Sequence, residues 1–300
     1  MLTPSEQTNT NTNFPSYDAL DNFPDDTDFI VVIKNINFLL TETKESQWTE
    51  HIKAINDLRR LFKYHRSLFY RTFIDLNIKD SILKLLNSIR SILVKNTLVF
   101  LTELFSTYEF EYTNNDEQIE LINIIELYLP KVIDKSYSDK KFIKDAAIQC
   151  LKQVSTNMFY GKVIIVLLNE CLDKNFKHVE VAFNVLIELI NNFEKNYLIY
   201  YDKWEHIFRG LSKIYQMKKE CYIKKPGKII ECFQCVIGKE MFDDILQKQI
   251  RNEDKLIIKE AIECYTNKMK NTSKDNNGIS TKEMIKISKQ RYLNDKKQIN

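Results

Sequence analysis

From Ser46 to Phe62 the chain reads SQWTEHIKAINDLRRLF, and Trp48, Ile52, Ile55, Leu58 and Phe62 recur every three to four positions. That spacing puts them on one stripe of an α-helix, with Glu50, Lys53, Asp57 and Arg60 on the other side. The same rhythm returns along the sequence. Phe29 to Leu40 is apolar on most sides and is expected to be a buried helix; Thr41 to Glu45 is the turn before the Trp48 helix. Tyr64 to Ser67 breaks that helix, Leu68 to Leu76 is a short amphipathic piece, and Asp80 to Leu86 leads to a turn at Asn87-Ser88. Ile89 to Phe105 is apolar nearly all round, which predicts a central place in the packing. After the polar loop Thr113 to Asp116, a helix over Glu117 to Ile133 is expected to be kinked or ended by Pro130. Ser138 can cap the next helix, whose stripe is Phe142, Ile143, Ala146, Cys150 and Val154. Lys162 to Leu172, a turn at Asp173 to Asn175, Val179 to Phe193 and Asp202 to Tyr215 follow. Lys218 to Lys228 reads as a basic turn, with Pro226-Gly227 as its loop signal, before helices over Ile229 to Gln247 and Glu253 to Met269.

Five of these segments follow a partner helix and begin near Trp48, Ile89, Phe142, Val179 and Ile229. The spacings average about 45 residues, which is the period of HEAT and armadillo helix pairs. One such hairpin cannot bury its apolar face alone, whereas a stack of them builds a continuous core. The expected fold is therefore all-α, a HEAT/armadillo-like solenoid of five to six hairpins; the competing architecture is an irregular helical bundle. With 5 Gly and 5 Pro in 300 residues, a fold of many strands and tight turns is disfavoured.

The two ends differ from the body. Residues 1–28 are polar and acidic, with Glu6, Asp18, Asp21, Asp25, Asp26 and Asp28 and no lysine or arginine. They are expected to form a disordered arm, although Phe14, Tyr17, Leu20 and Phe23 are anchors that can dock it on a surface. Residues 29–270 are the expected repeat domain. Residues 271–300 hold seven bases and three acids and are expected to be a flexible tail with a weak helix over Thr281 to Leu293. The net charge of +3 is far below that of a typical nucleic-acid binder, so no nucleic-acid partner is expected. No apolar run approaches the roughly 18 residues of a membrane span, and the N-terminus lacks the pattern of a secretory signal, so no membrane partner is expected.

Catalytic chemistry finds little support. His51, His65, His178 and His206 are dispersed and none falls in a nucleophile signature. No glycine-rich phosphate loop occurs, so no cofactor is expected. Cys232 and Cys235 have half the ligand pattern of a zinc site, but no second close pair of Cys or His completes it, so no metal is expected. The six cysteines, Cys150, Cys171, Cys221, Cys232, Cys235 and Cys264, read mostly as reduced core residues, and Trp204 reads as core. The chain is not expected to be an enzyme.

Three stretches carry a resemblance. SQWTEHIKAINDLRRLFKYH resembles the first repeat of TOG domains, and NSIRSILVKNTLVFLTELF and DKKFIKDAAIQCL resemble the second and third repeats of the CLASP and crescerin subtype. The resemblance covers roughly Ile30 to Lys270 and implies a flat paddle whose intra-repeat turns line one narrow edge that binds tubulin. In such domains a tryptophan of the first turn packs on β-tubulin and basic residues of later turns reach towards α-tubulin. Carried onto this sequence, Trp48 lies in the first turn, Arg90 and Ser91 in the second, and Lys140, Lys141 and Lys144 in the third. Lys174, Lys177 and His178 match the fourth, and Lys224, Lys225 and Lys228 the fifth, whose Pro-Gly pair can displace its lysines. The implied function is a non-enzymatic microtubule-associated protein of the cytoplasm and cytoskeleton, and crescerin-like relatives extend this to a cilium, axoneme or basal body. The alternative is a helical-repeat scaffold that docks other cytoskeletal or ciliary proteins. The charge argument runs the same way: tubulin is acidic, and a row of cationic turns would speed and orient its association.

Overall fold

The structure, a computed structural model, describes residues 14–41, 44–75, 78–106, 115–158, 161–192, 203–217 and 225–276. The chain divides into two compact units, Met1–Leu198 and Ile199–Asn300. Among the described residues every regular element is helical.

In the first unit, α1 (Phe29–Thr41) and α2 (Trp48–Tyr64) form one hairpin, α4 (Ile78–Leu86) and α5 (Ser91–Ser106) the next. The third pairs α6 (Asn115–Lys135) with α7 (Lys141–Asn157), and the fourth pairs α8 (Gly161–Glu170) with α9 (Phe176–Asn192). First helices stack on first helices, α1 on α4 on α6 on α8, and second helices on second helices, α2 on α5 on α7 on α9. This is the two-layer solenoid expected from the spacing. The central place read for α5 holds: Leu93, Leu98, Phe100, Leu101 and Leu104 are all fully buried. An extra helix, α3 (Arg66–Asp75), packs on α2, α4 and α6. Its Phe69 and Phe73 stack on each other at 4.6 Å between ring centroids, and Phe69 meets Phe62 of α2 at 5.0 Å.

The second unit contains α10 (Trp204–Gln216), α11 (Lys225–Ile237), α12 (Lys239–Gln249) and α13 (Asn252–Asn276), with α13 packed on α10 and α11. Trp204 is 1% exposed, core as expected, and meets Phe233 edge-on at 5.5 Å.

Several expectations are corrected. The apolar α1 is not buried all round: it packs on α2 and α4, which buries Ile36 and Leu40 and leaves Ile30, Val31 and Phe38 exposed. Phe142, placed on the buried stripe of α7, is exposed. Pro130 does not end α6, which runs on to Lys135. Pro226-Gly227 is not a loop but the first turn of α11, where a missing N–H costs nothing. Gly227 is required there by close packing: a Cβ would lie 2.4 Å from Cβ of Tyr265 on α13. The single helix read over Ile229 to Gln247 breaks at Gly238, whose φ of 87° suits only glycine well.

Residues 14–28, expected to be disordered, lie along α2, held by the anchors noted in the sequence. Leu20 and Phe23 are buried, and the Arg60 guanidinium stacks on Phe23 at 3.8 Å. The arm is gripped through its main chain. Lys63 Nζ donates to the carbonyls of Tyr17, Asp18 and Leu20 at 2.9–3.1 Å, and Tyr64 Oη donates to Leu20 at 2.6 Å. Residues 1–13 and the tail expected from 271, apart from the end of α13, lie outside the described residues.

Arg59 joins arm, first hairpin and second hairpin. It is fully buried, donates bidentately to Glu103 of α5 at 2.6 Å, to Asn56 at 2.9 Å and to the Pro15 carbonyl at 2.8 Å, and stacks on Phe14. Removing one partner of a buried pair strands the other charge. Arg59→Ala is expected to lower unfolding free energy by about 3–5 kcal/mol in denaturant titration. The double change Arg59→Met with Glu103→Leu should cost much less than Arg59→Ala.

Candidate functional site

The turns that open α5, α7 and α9 are built alike. A short polar side chain accepts from the backbone two residues on and so bends the chain into the helix. Ser88 Oγ accepts from Arg90 N–H at 3.0 Å before α5, and Ser138 Oγ from Lys140 N–H at 3.3 Å before α7. Before α9, Asp173 Oδ1 accepts from Asn175 N–H at 2.6 Å and Asn175 Oδ1 from Lys177 N–H at 3.1 Å. Ser138 thus shapes the turn, and Lys140, not Ser138, occupies the cap position of α7.

The second, third and fourth turns are tied to one another, and the first faces the second across a cleft. A cleft of about 260 Å³ is lined by Thr41 and His51 of the first hairpin and by Asn87 and Ser88 of the second. Lys140 Nζ donates to Ser91 Oγ at 2.5 Å, joining the second turn to the third. Tyr137 Oη donates to Asp134 at 2.6 Å and accepts from Asn175 Nδ2 at 3.2 Å, joining the third to the fourth. Beneath them the buried His178 bridges two carboxylates, Asp134 of α6 through Nδ1 at 2.9 Å and Glu170 of α8 through Nε2 at 2.8 Å. The four turns therefore share one end of the helix stack.

The sequence-derived residues fall on this end as follows. Trp48, the first residue of α2, is half-buried after a short 3-10 turn at Glu45–Gln47. Arg90, Lys140, Lys141, Lys144, Lys174 and Lys177 are exposed, against Asp139, Asp145, Asp173 and Glu180, so cations outnumber acids along the second to fourth turns. Ser91 is half-buried under Lys140. The fifth hairpin lies in the other unit: Lys224 is outside the described residues, Lys225 is half-buried at the start of α11, and Lys228 is exposed but paired with Glu231 at 2.6 Å. Lys225 and Lys228 are thus helical residues, not loop residues.

Sequence reasoning missed the apolar half of this edge. Ile89 is 82% exposed, Phe142 45% and Phe176 48%, one at each of the second, third and fourth turns, each beside a lysine or arginine. A large apolar residue next to a cation at the start of a second helix was the available signal. Among the described residues no group of three or more His, Cys, Asp or Glu is arranged to hold a metal ion.

His178 couples this edge to pH. Burial pushes its pKa down, but the hydrogen bonds and charges of Glu170 and Asp134 outweigh that and hold it above the ordinary 6.5. Burial lifts Asp134, but Tyr137, His178 and Lys131 bring it below 3.8. A raised histidine stabilises below its unfolded pKa and loses that contribution as pH rises through the folded value; a depressed carboxylate stabilises above its unfolded pKa and loses it as pH falls. The clamp is strongest between about pH 4 and 6.5. The thermal midpoint should fall as pH is raised from 6.5, and His178→Gln should flatten that dependence in calorimetric scans across the range.

The CLASP N-terminal family matches residues 33–211. No curated protein matches the sequence. Among solved structures, the chain is similar to a designed armadillo repeat protein in complex with the peptide (KR)4, at 14% identity and a TM-score of 0.35 over 78% of this chain and 99% of that one. An engineered protein shows 15% identity and the same TM-score over 79% and 97%. Helix pairs stacked in two layers, with a family match spanning more than half the sequence, settle the assignment: the chain belongs to the CLASP N-terminal family of TOG-type helical-repeat domains.

Proposed function

We propose that this protein is a non-enzymatic microtubule-associated protein that binds tubulin through the turn edge of its first unit. One observation supports this most: exposed cations and exposed apolar side chains alternate along the same end of four stacked hairpins, with an indole at its first turn. The family as a whole points to tubulin or microtubule association and to the cytoskeleton. Arg90, Lys140, Lys141, Lys144, Lys174 and Lys177 attract an acidic partner at long range, which raises the encounter rate. Trp48, Ile89, Phe142 and Phe176 then lose water on contact, and aromatic residues at the centre of an interface commonly dominate its affinity. Ser91 and the His178 clamp position the cations. The fifth-turn lysines Lys224, Lys225 and Lys228 belong to the other unit and are not part of this edge; Lys228 is paired with Glu231. A ciliary or axonemal place rests on the crescerin resemblance alone. No described helix is long and apolar enough to cross a membrane.

A second reading, a scaffold that docks another protein, draws on the exposed Ile30, Val31 and Phe38 of α1. The two separate in one assay. Trp48→Ala combined with Lys141→Glu and Lys174→Glu should weaken co-sedimentation with microtubules at least about tenfold with unchanged circular dichroism. Binding should also weaken as salt is raised. Full binding by that variant would eliminate the edge, and loss of binding on Phe38→Glu alone would favour the scaffold.

A further inference from the structure

Between α7 and α9 the second-helix layer opens into a cleft of about 470 Å³. It starts at the turn edge, beside Ser136 and Tyr137, and runs down the outer face of the two helices. Its floor is apolar: Leu151 and Val185 are nearly buried, Val181 is half-buried, and Ile148 stands 45% exposed in mid-helix. An isoleucine kept exposed in the middle of a groove, rather than alone on a convex surface, gains from a partner that covers it.

The charges around the floor are ordered. Lys144 and Lys177 stand near the starts of the two helices, where the helix dipoles are also positive. Lys152 lies two turns further along α7. The α9 wall carries Glu180 and Glu188 instead. At a rise of about 1.5 Å per residue, Lys144, Ile148 and Lys152 are spaced roughly 6 Å apart along α7. An extended peptide advances about 3.3 Å per residue and turns alternate side chains to the same side, so 6 Å is close to two residues.

We propose that this cleft is a docking site for an extended acidic segment of a protein partner, of the pattern acid–x–apolar–x–acid. The two acids meet Lys144, helped by Lys177, and Lys152; the apolar side chain between them covers Ile148. The intervening residues face Glu180 and Glu188 and are neutral or basic. The inference deepens the preceding reading and rests on it only for the identity of the partner as an acidic cytoskeletal protein: a segment of that partner would extend the contact from the turn edge onto the second-helix face.

The test uses the full chain and a fluorescently labelled peptide with the core Glu-Ser-Phe-Ser-Glu, read by anisotropy. Binding is expected below about 1 mM and should weaken with salt. A peptide with Ser in place of Phe, and one with Lys in place of both Glu, should each bind at least about fivefold more weakly. Ile148→Glu and Lys152→Glu should weaken the parent peptide to the same degree; both positions are exposed, so the thermal midpoint should be unchanged, and Lys152→Glu serves should Ile148→Glu disturb folding. Absence of binding at that concentration, equal binding of the Phe-less peptide, or full binding by both variants overturns the proposal. Trp48→Ala should leave peptide binding intact. Peptide binding without microtubule co-sedimentation overturns the tubulin reading alone, and co-sedimentation without peptide binding overturns this one alone.

Discussion

A helical hairpin in this chain has more apolar surface than its two helices can cover for each other, and the surplus drives one hairpin onto the next. The demand falls hardest on α5, which packs on α2, α4 and α7 and therefore tolerates few exposed polar residues. The buried Arg59–Glu103 pair sits in the same contact between second helices. Burying two charges is costly, and the cost is offset here by a bidentate geometry with further acceptors at Asn56 and Pro15. An arginine that satisfies three segments at once specifies which surfaces meet, a task that leucine in its place would perform with less selectivity.

The same demand explains the first hairpin. The α1–α2 hairpin has more apolar surface than its contacts with α4 and α5 cover. The described arm supplies part of the cover. Leu20 and Phe23 bury themselves, while Arg60 and Lys63 take their acceptors from the arm's carbonyls, leaving Asp18, Asp21, Asp25 and Asp26 exposed. Recognition through main-chain oxygens explains how so acidic and polar a segment can be ordered: its side-chain charges are not needed for docking and remain in water. Composition registers those charges and is blind to the carbonyls. The disorder expected for residues 1–28 therefore does not describe residues 14–28, and the scattered aromatics were the better guide.

The fold was legible because helical periodicity and hairpin spacing are local properties repeated several times. Errors came where a long-range neighbour decides. FIVVIKNINFLL reads as buried on any local scale, yet whether Ile30 and Phe38 find partners depends on which helices pack on α1. Pro226-Gly227 reads as a loop, yet a proline in a first helical turn loses no hydrogen bond and the glycine answers to Tyr265 far along the chain. In the candidate site, the cations were legible as turn residues. The exposure of Ile89 and Phe176 was not, since an apolar residue beside a turn looks the same whether it faces the core or water. The His178 bridge was equally hidden, because Asp134 and Glu170 end two different helices and meet only when the third and fourth hairpins stack.

Mixing apolar side chains with cations along one edge has a physical consequence for selectivity. A purely cationic edge would bind acidic surfaces of any shape with affinity that salt removes. A purely apolar edge would risk self-association. On the proposed reading, with one large apolar group beside the cations of the second, third and fourth turns, charge would set the encounter and the spacing of the apolar groups would test the fit after water is expelled. That test is meaningful only if the groups are held in register. The Lys140–Ser91 contact and the Tyr137–Asp134–His178 network provide the register by binding the second turn to the third and the third to the fourth. The polar groups that look least like a binding surface, being half-buried and already paired, are thus the ones that hold the exposed groups at fixed separations.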